Sequence, residues 1–395
     1  MIERQLQLAD TLGRGASVLL LGPRGVGKTN LAQQWVAARP NVLSINLLDP
    51  DDYHTYLLAP GHLQTEVRWR LESSRETALL VFIDEIQKVP ALLDVVHLLY
   101  ENHRPQVQFL LTGSSARKLR RGGANLLAGR LLALHLYPLT FRELPQPWTS
   151  LLRLGSLPGV ALDNLLPEAS LRAYVHNYLK EEVLEEALVR KVEAFSRFLE
   201  LAGQYHGEPL NASSLARAAG ISSNTVSDYF QILEDTLMVH RLPGWSASVK
   251  KQLRLAPRFF LFDNGVANAL RGELRVEINE RTSRFGRLFE AWVIQEAFRL
   301  NDYRQLDLKL SYWQTNTQLE VDLVVSRGAG QPLAAIEIKS GLRPSPADWP
   351  GLTSFRTEYP QVPQFCFCRC ARPFRGDDGV EVHPWQEGLA LLETL

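Results

Sequence analysis

Gly22-Pro23-Arg24-Gly25-Val26-Gly27-Lys28-Thr29 is the stretch that decides how the first part of the chain folds. It fits the pattern G-x-x-x-x-G-K-[ST], and it lies between an apolar run at 17–21, predicted as a buried strand, and residues 30–39, predicted as a helix. The glycines permit a tight loop whose backbone N–H groups converge on phosphate oxygens. Lys28 would reach the β- and γ-phosphates, and the Thr29 hydroxyl would bind Mg²⁺. The sequence therefore predicts an ATP-binding loop that extends from Gly22 to Asn30.

Composition places the chain among ordinary globular proteins. Its 395 residues exceed one compact core and predict about two to four domains. The start of the chain, Met1-Ile2-Glu3-Arg4, lacks a signal-peptide hydrophobic region, and no apolar run approaches the length of a membrane span. We therefore expect a cytoplasmic protein with no membrane partner. Because basic and acidic residues both number 43, a nucleic-acid partner must be argued from local patches.

Two carboxylates at the end of an apolar run supply the second half of the predicted site. A strand-like run at 42–48 and a helical stretch at 66–73 precede the apolar residues 79–83, which end in Asp84-Glu85. Asp84, at the end of a buried parallel strand, can bind Mg²⁺ through its water shell. Glu85, one residue beyond the strand, can polarise the attacking water as a general base.

A fourth predicted strand, at 107–111, ends in Thr112. If this strand lies between the phosphate loop and the Asp84 strand, Thr112 could sense the γ-phosphate, although it could also be a plain hydroxyl at a strand end. Arg130 follows 18 residues later, where an arginine could contact the ATP of a neighbouring subunit and neutralise charge on the transferred phosphoryl group. The alternative for Arg130 is a surface or loop-anchoring cation.

Between Thr112 and Arg130 lies a run of basic residues that contains no acid. Such a run can follow a phosphate backbone, or it can be the solvated face of a helix. Its members are Arg117, Lys118, Arg120 and Arg121.

The middle of the chain is predicted to be mostly helical. Pro145-Gln146-Pro147 marks a boundary, and residues 151–199 include a segment at 171–191 with apolar residues at helical spacing. This region is the predicted lid over the nucleotide, with Arg172 a candidate second sensor.

Residues 210–230 match a helix-turn-helix. Ala216, Gly220, Ile221 and Val226 occupy the small, turning and core positions, and the second helix opens with the capping run at 222–225. Residues 233–242 and the basic segment 246–254 would complete a winged helix. Such a module can bind DNA, or it can serve as a structural or protein-contact element, and the second helix carries acidic residues but no arginine.

The C-terminal third predicts a helix followed by three strands. The helix opens at Gly286, and the strands cover 310–315, 319–325 and 333–339. If the turn between the last two strands is centred between Ala329 and Gly330, Asp322 lies opposite Glu337. Two carboxylates would then meet Lys339, with Glu290 approaching from the helix. Hard oxygen ligands suit a divalent cation, and Lys339 could orient a water that attacks a phosphodiester.

These motifs together resemble the AAA+ superfamily, and more closely a widespread prokaryotic family of ATPases that carry a C-terminal domain of unknown function. The resemblance covers nearly the whole chain and rests on Gly22 to Thr29, DEIQKVP at 84–90, LTGSSAR at 111–117, LAGR at 127–130 and PLTFREL at 138–144. It implies an ASCE-type parallel sheet, a helical lid, and a homo-oligomer in a hexamer-type ring or partial ring.

The C-terminal cluster resembles the PD-(D/E)XK, or restriction-endonuclease-like, nuclease family. Glu290, Asp322 and Glu337-Ile338-Lys339 occupy its helix acid, its metal aspartate and its E-x-K positions. The resemblance implies Mg²⁺ or Mn²⁺ bound by Glu290, Asp322 and Glu337. A charged solvent-facing strand pair and a platform that binds without cutting are the alternatives.

The resulting expectation is an α/β protein. Its predicted parts are an AAA+ ATPase core at 1–144, a helical lid at 145–192, a winged helix-turn-helix at 193–255 and a nuclease-like α/β domain at 256–395. The predicted function is an ATP-hydrolysing motor that remodels or translocates DNA, branched DNA included, and that carries a metal-dependent nuclease site. The alternative is an ATP-dependent regulatory or defence switch whose nuclease-like domain binds without cutting.

Overall fold

A computed structural model of the chain describes residues 2–73, 78–114, 129–144, 147–162, 166–179, 192–252, 255–328 and 331–395. The described residues divide into two compact units. The first contains the residues up to Glu143 together with Gln231–Met238. The second contains the described residues from Leu144 to Phe230 and from Val239 to Leu395.

The first unit is built on a five-stranded sheet in the order β2-β3-β4-β1-β5. All its strand pairs are parallel. Every residue of β1 and β3 is buried, as expected for a sheet whose two faces are both covered. The strands are β1 Ser17–Leu21, β2 Val42–Asn46, β3 Leu79–Asp84, β4 Val107–Gly113 and β5 Leu131–His135. The four strands expected from apolar runs are confirmed, and β4 lies between β1 and β3 as the Thr112 hypothesis requires.

Helices connect these strands. They are α1 Ala9–Leu12, α2 Lys28–Ala37, α3 Pro50–Leu58, α4 His62–Ser73 and α5 Leu92–His103, with a 3₁₀ turn at Ile86–Lys88. Helix α2 begins two residues before the predicted start, directly after the left-handed Gly27 (φ 95°). Helix α3 was not predicted, although the sequence carries its start signal. Asp49 accepts hydrogen bonds from the N–H groups of Asp51 and Asp52, and Pro50 is the first helical residue.

The second unit opens with short helices. These are α6 Trp148–Leu154, α7 Pro158–Ala161 and α8 Pro167–Ala173, followed by a π-helical stretch Tyr174–Leu179 and α9 Val192–Gln204. The single helix expected at 171–191 therefore differs from the structure: its first residues belong to α8, and the hydrogen-bond pattern changes after Ala173. The rest of that predicted helix, from 180 onward, lies outside the described residues.

The expected helix-turn-helix is formed by α10 Ala212–Ala219 and α11 Ser223–Asp235. Gly220 ends α10 with φ 70°, a left-handed conformation that glycine adopts without strain. Strand β6 Val239–Leu242 then pairs antiparallel with β7 Arg258–Leu261. The polar segment 246–254 was expected in a wing. Within its described part it forms a short helix, α12 Val249–Gln252.

A six-stranded sheet in the order β12-β13-β11-β10-β9-β8 occupies the C-terminal third. Its strands are β8 Leu308–Gln314, β9 Glu320–Arg327, β10 Pro332–Ile338, β11 Gln364–Cys368, β12 Phe374–Arg375 and β13 Glu381–Pro384. The helices are α13 Asn264–Leu270, α14 Ser283–Tyr303, α15 Pro350–Glu358 and α16 Trp385–Leu391, with 3₁₀ turns at Pro346–Asp348 and Leu392–Thr394. Ile336 pairs with Leu323 in the antiparallel β9–β10 hairpin, so the next opposed pair is Asp322 and Glu337, as predicted.

In the part of the chain that the structure describes, no helix has the length and apolar character needed to cross a membrane.

Truncation of a leucine in the inserted strand β4 should destabilise the first unit. Leu111 is fully buried in a cluster with Leu19, Val81 and Ile83, so Leu111→Ala should lower the free energy of unfolding by about 2–5 kcal/mol. Chemical denaturation measures the change. Leu132→Ala on β5 of the same sheet is the control, because Leu132 is 52% exposed. Its effect should stay within about 0.5 kcal/mol. Equal losses in the two variants would contradict the burial assigned here.

Candidate nucleotide site and C-terminal carboxylate cluster

The phosphate loop joins β1 to α2 in the conformation that its glycines allow. Gly25 and Gly27 have φ angles of 82° and 95°, in the left-handed region. A Cβ atom on Gly22 would lie 2.2 Å from the carbonyl oxygen of Leu136, so only glycine fits there. Helix α2 begins at Lys28, immediately after the loop. Since the first N–H groups of a helix lack intrahelical acceptors, this end of α2 favours an anion.

Lys28 is held against the loop that it would serve. Its side chain is buried, and its Nζ donates to the carbonyl oxygens of Gly22 at 2.8 Å and Pro23 at 3.1 Å. These two backbone acceptors keep the ammonium group beside the loop.

The ends of β3 and β4 and the start of α2 bring their polar side chains together at Asp84. The Thr29 hydroxyl lies 2.9 Å and 3.1 Å from the two Asp84 carboxylate oxygens. From β4, the Thr112 hydroxyl donates to Asp84 Oδ1 and accepts a hydrogen bond of 3.0 Å from the N–H of Glu85. The structure thus brings Thr29, Asp84, Glu85 and Thr112 together. Adjacent hydroxyl and carboxylate oxygens are the donors that Mg²⁺ prefers, so this group of residues fits the metal.

Glu85 is oriented by a residue to which the sequence analysis assigned no role. Glu85 is half-buried and has a left-handed φ of 59°. Gln87, which is 8% exposed, donates through Nε2 to Glu85 Oε2 and to the Ser114 hydroxyl at 3.1 Å. The only sequence signal for Gln87 was its place two residues after Glu85, in the motif DEIQKVP.

Three other residues of the predicted loop lie on the surface of the first unit, whereas Pro23 and Val26 are buried and Arg130 is half-buried. Arg24, Gly25 and Asn30 are exposed, and Asn30 Oδ1 accepts a hydrogen bond of 2.6 Å from Gln34. Arg130 forms an ion pair with Glu101 of α5, with 2.5 Å between Nε and Oε1. The hydrogen bond from Arg130 lowers the pKa of Glu101. The basic run with Arg117, Lys118, Arg120 and Arg121 lies outside the described residues.

A second polar cluster lies on the β9–β10 hairpin. Asp322 and Glu337 are both 3% exposed. Asp322 Oδ2 accepts a hydrogen bond of 2.8 Å from the N–H of Ile338, and Glu337 Oε1 lies 2.7 Å from Lys339 Nζ. Glu337 Oε2 is buried and has no hydrogen-bond partner among the described residues. The predicted hairpin acids and lysine therefore do meet, and one carboxylate oxygen is left without a donor.

Glu290 reaches this region from α14 but is engaged by a residue that the sequence did not indicate. Arg258, 3% exposed on β7, donates to Glu290 Oε1 at 3.2 Å and to Glu320 Oε2. Its guanidinium group stacks 4.7 Å from the centre of the Tyr312 ring. No local pattern could have identified Arg258, because its partners lie 32 and 62 residues later in the chain.

The cluster contains more negative than positive charge. Its four carboxylates (Glu290, Glu320, Asp322 and Glu337) meet two cations, Arg258 and Lys339, which leaves two negative charges uncompensated when all are ionised. Burial raises the pKa of both Glu290 and Glu337 well above the ordinary value, and the Asp322 charge raises both further. Within the described ranges, however, no three His, Cys, Asp or Glu side chains form a group that could hold a metal ion.

Three family models match consecutive parts of the chain. Residues 14–145 match a family described as an AAA domain. Residues 146–277 match a domain of unknown function (DUF8612), and residues 285–387 match another domain of unknown function (DUF4143).

Relatives of the whole chain include an uncharacterized protein of Mycobacterium tuberculosis. The two are 28% identical over 354 residues, which cover 87% of this chain and 76% of the relative. An uncharacterized protein of Haemophilus influenzae is 24% identical over 271 residues, covering 64% of this chain and 65% of that protein.

Solved structures with similarity to the chain include the Thermotoga maritima RuvB Holliday junction branch migration motor, at 21% identity and a TM-score of 0.29. The match covers 60% of this chain and 86% of that one. The structure of Drosophila ORC bound to AT-rich DNA and Cdc6 gives 15% identity and a TM-score of 0.25, covering 67% and 87%. The AAA domain match covers the residues that hold the phosphate loop and the Asp84 carboxylate, and the two matches that follow it are to families with no assigned function.

Proposed function

We propose that the first unit hydrolyses ATP. The observation that carries this proposal is the contact of Thr29 with Asp84, which joins the end of the phosphate loop to the end of β3. A loop alone would account for nucleotide binding. The Asp84-Glu85 pair beside it adds the groups that hydrolysis needs.

Each residue of the site has a distinct role in this proposal. The loop N–H groups and Lys28 bind the phosphates and neutralise their charge. Gln87 and the Thr112 contact with the Glu85 N–H hold Glu85 in place, and Glu85 accepts a proton from the attacking water. Thr29 and Asp84 would hold Mg²⁺, which when bound neutralises charge on the phosphate oxygens. Thr112 touches both Asp84 and Glu85, and so it is placed to respond to changes at either.

We further propose that the nucleotide drives work on DNA by an oligomer. The support is the exposed face at the start of α11, where Ser222, Ser223, Asn224 and Ser227 present hydroxyl and amide groups of the kind that contact phosphates and base edges. Lys250 is also exposed. In this proposal the residues around the helix-turn-helix form a winged helix, and the short helices before it form a lid. Arg130 leaves its ion pair with Glu101 and contacts the ATP of a neighbouring subunit.

A second candidate function is metal-dependent cleavage of a phosphodiester by the second unit. The specific observation is the β9–β10 pair, where Glu337 Oε2 has no donor among the described residues and the carboxylates exceed the cations. In this candidate function Asp322 and Glu337 would hold a divalent cation, and Glu290 would become a third ligand only by leaving Arg258. Mg²⁺ or Mn²⁺ bound there would polarise a phosphoryl oxygen. Lys339, fixed by Glu337, would orient the attacking water.

Replacement of the proposed base should separate ATP binding from hydrolysis. Glu85→Gln keeps the size of the side chain and removes its ability to accept a proton, so turnover should fall about 100-fold or more while ATP still binds. Phosphate release measures turnover, and a fluorescent ATP analogue measures binding. Glu72→Gln on α4 is the matched control, because Glu72 is exposed on the same unit. If the Glu85→Gln variant hydrolyses ATP at the wild-type rate, the assignment of Glu85 as the base is wrong.

Addition of DNA should stimulate ATP turnover, and negative charge on α11 should weaken that effect. Ser223→Glu and Asn224→Glu put a carboxylate on the face proposed to meet phosphates, so DNA affinity should fall about tenfold and the stimulation should require more DNA. Turnover is measured with single-stranded, duplex and branched DNA at two salt concentrations.

The control for this experiment is Thr357→Glu, which adds the same charge at an exposed position of α15 in the same unit. If none of the DNA forms changes the rate of ATP turnover, the motor proposal is wrong. An equal loss of DNA affinity in the control would show that α11 is not the contact face.

Glu337→Gln should have opposite effects on stability with and without metal. In EDTA the variant should melt several degrees higher than the wild type at pH 8, because burial and the Asp322 charge raise the folded-state pKa of the wild-type carboxyl, which costs stability above the ordinary pKa. A raised folded-state pKa gives stability that is present below the ordinary value of 4.5 and is lost as the pH rises. The difference should therefore vanish near pH 4.5. With Mn²⁺ at pH 8 the wild type should gain stability and the variant should not.

These melts are made with Asp84→Asn in every protein, so that metal at the ATP site does not contribute. Glu277→Gln, at an exposed position of the same unit, is the control. Mn²⁺ stabilisation together with Mn²⁺-dependent DNA nicking that Glu337→Gln and Lys339→Ala abolish supports cleavage. Stabilisation without nicking favours a switch that binds and does not cut. A wild type that Mn²⁺ does not stabilise would contradict the metal site.

A further inference from the structure

An arginine near the start of the chain, outside every predicted motif, lies against the phosphate loop. Arg4 is 8% exposed. Its Nη1 donates to the carbonyl oxygen of Val26 in the loop at 2.7 Å, and its Nη2 donates to the carbonyl oxygen of Tyr137 at 2.7 Å. One guanidinium group thus bridges the loop and the segment that follows β5.

The charge of Arg4 is neutralised by a carboxylate that also organises its surroundings. Arg4 Nε lies 3.1 Å from Glu143 Oε1, and the two side chains are 7% and 1% exposed. Glu143 accepts two further hydrogen bonds, from the N–H of Gln5 at 2.5 Å and from the N–H of Thr140 at 2.8 Å. The ion pair is therefore buried with its charges matched, and it ties residues 4–5 to residues 137–143.

The same segment touches the loop at its other end. The N–H of Leu136 donates to the carbonyl oxygen of Leu21 at 2.7 Å, and the carbonyl oxygen of Leu136 leaves no space for a Cβ atom on Gly22. The loop is thus bracketed by one segment, directly at Gly22 and through Arg4 at Val26. Between these points the left-handed Gly25 gives the backbone freedom that the bracket restrains.

We propose that Arg4 is a positioning residue for the phosphate loop, and that Glu143 passes the state of the loop to residues 136–143. The inference rests on the ATP binding proposed above. Arg4 touches no phosphate in this proposal. It fixes the Val26 carbonyl, which orients the N–H groups that follow it in the loop. Glu143 is the last residue of the first unit before Leu144, where the chain enters the second. In this proposal bound nucleotide orders residues 136–143, and the effect of the nucleotide thereby reaches this junction in the chain.

Arginine is needed for this task rather than positive charge alone. Nε, Nη1 and Nη2 reach three different acceptors, Glu143, Val26 and Tyr137, in one rigid plane. A lysine has one ammonium group on a flexible stem and cannot hold three acceptors in a fork geometry. Arg4→Lys therefore keeps the positive charge and its pairing with Glu143. It removes the hydrogen bonds that join the Val26 carbonyl oxygen to that of Tyr137.

The test measures ATP affinity and local backbone protection in the full-length protein. Arg4→Lys should weaken binding of a fluorescent ATP analogue about tenfold, the loss expected for one buried hydrogen bond to a charged group. In the wild type, ATP should slow hydrogen exchange at the Gln5 and Thr140 amides, both of which donate to Glu143. In Arg4→Lys that added protection should disappear.

The control is Arg356→Lys, since Arg356 makes a similar set of fork-type hydrogen bonds to Gln364 and to the Asp378 carbonyl oxygen in the second unit. It should leave ATP affinity and both amides unchanged. Glu143→Gln is the second variant, which decides the outcome if Arg4→Lys does not fold, and it should weaken ATP binding in the same direction.

Different outcomes separate this inference from the function on which it rests. A wild type that binds no ATP would overturn both. Suppose instead that the wild type binds ATP and that a folded Arg4→Lys or Glu143→Gln variant binds it with an affinity within twofold of the wild type. The positioning role alone would then be wrong. ATP-induced protection at Thr140 that persists in Arg4→Lys would overturn the link to residues 136–143.

Discussion

The carboxylate of Asp84 is the point on which the candidate nucleotide site depends. It receives the Thr29 hydroxyl from the start of α2 and the Thr112 hydroxyl from the end of β4, so it connects the ends of β3 and β4 to the helix that follows the phosphate loop. This is possible only because β4 is inserted between β1 and β3. In a sheet with β1 and β3 adjacent, Thr112 would have no place between the phosphate loop and the carboxylates. The order of the strands therefore determines which polar side chains can meet at this site.

The parts of the structure that the sequence predicted are those encoded locally. The phosphate loop, the buried strands, the helix-turn-helix and the Asp322–Glu337 register all follow from spacing within a few tens of residues. Arg4 and Arg258 could not be found in this way, because their partners lie far along the chain and no periodic pattern links them. Helix α3 was a different omission, since Asp49-Pro50 is a recognisable start signal. The lid helix was expected to be continuous because apolar spacing does not distinguish α- from π-helical hydrogen bonding.

The two polar clusters differ in how their charge is balanced. In the first unit Lys28 donates to backbone carbonyl oxygens, Asp84 accepts from two hydroxyl groups and Glu85 accepts from the Gln87 amide. In the second unit carboxylates outnumber cations, and burial together with the Asp322 charge raises the pKa of Glu290 and Glu337. A bound cation would compensate this excess of negative charge. Arg258 already compensates part of the charge, and its ion pair with Glu290 occupies a carboxylate that a metal ion would need as a ligand.

The chain leaves the first unit at Glu143 and returns to it for Gln231–Met238, where Leu237 packs on the main apolar cluster of that unit. A gene fragment that stops after the PLTFREL motif would therefore encode the first unit with part of its packing surface missing. Such a fragment is a poor choice for expression, and recombination at this point would not transfer a self-sufficient module. Because the two units are interleaved along the chain, they would be inherited together, which gives evolution little opportunity to pair the first unit with a different partner domain.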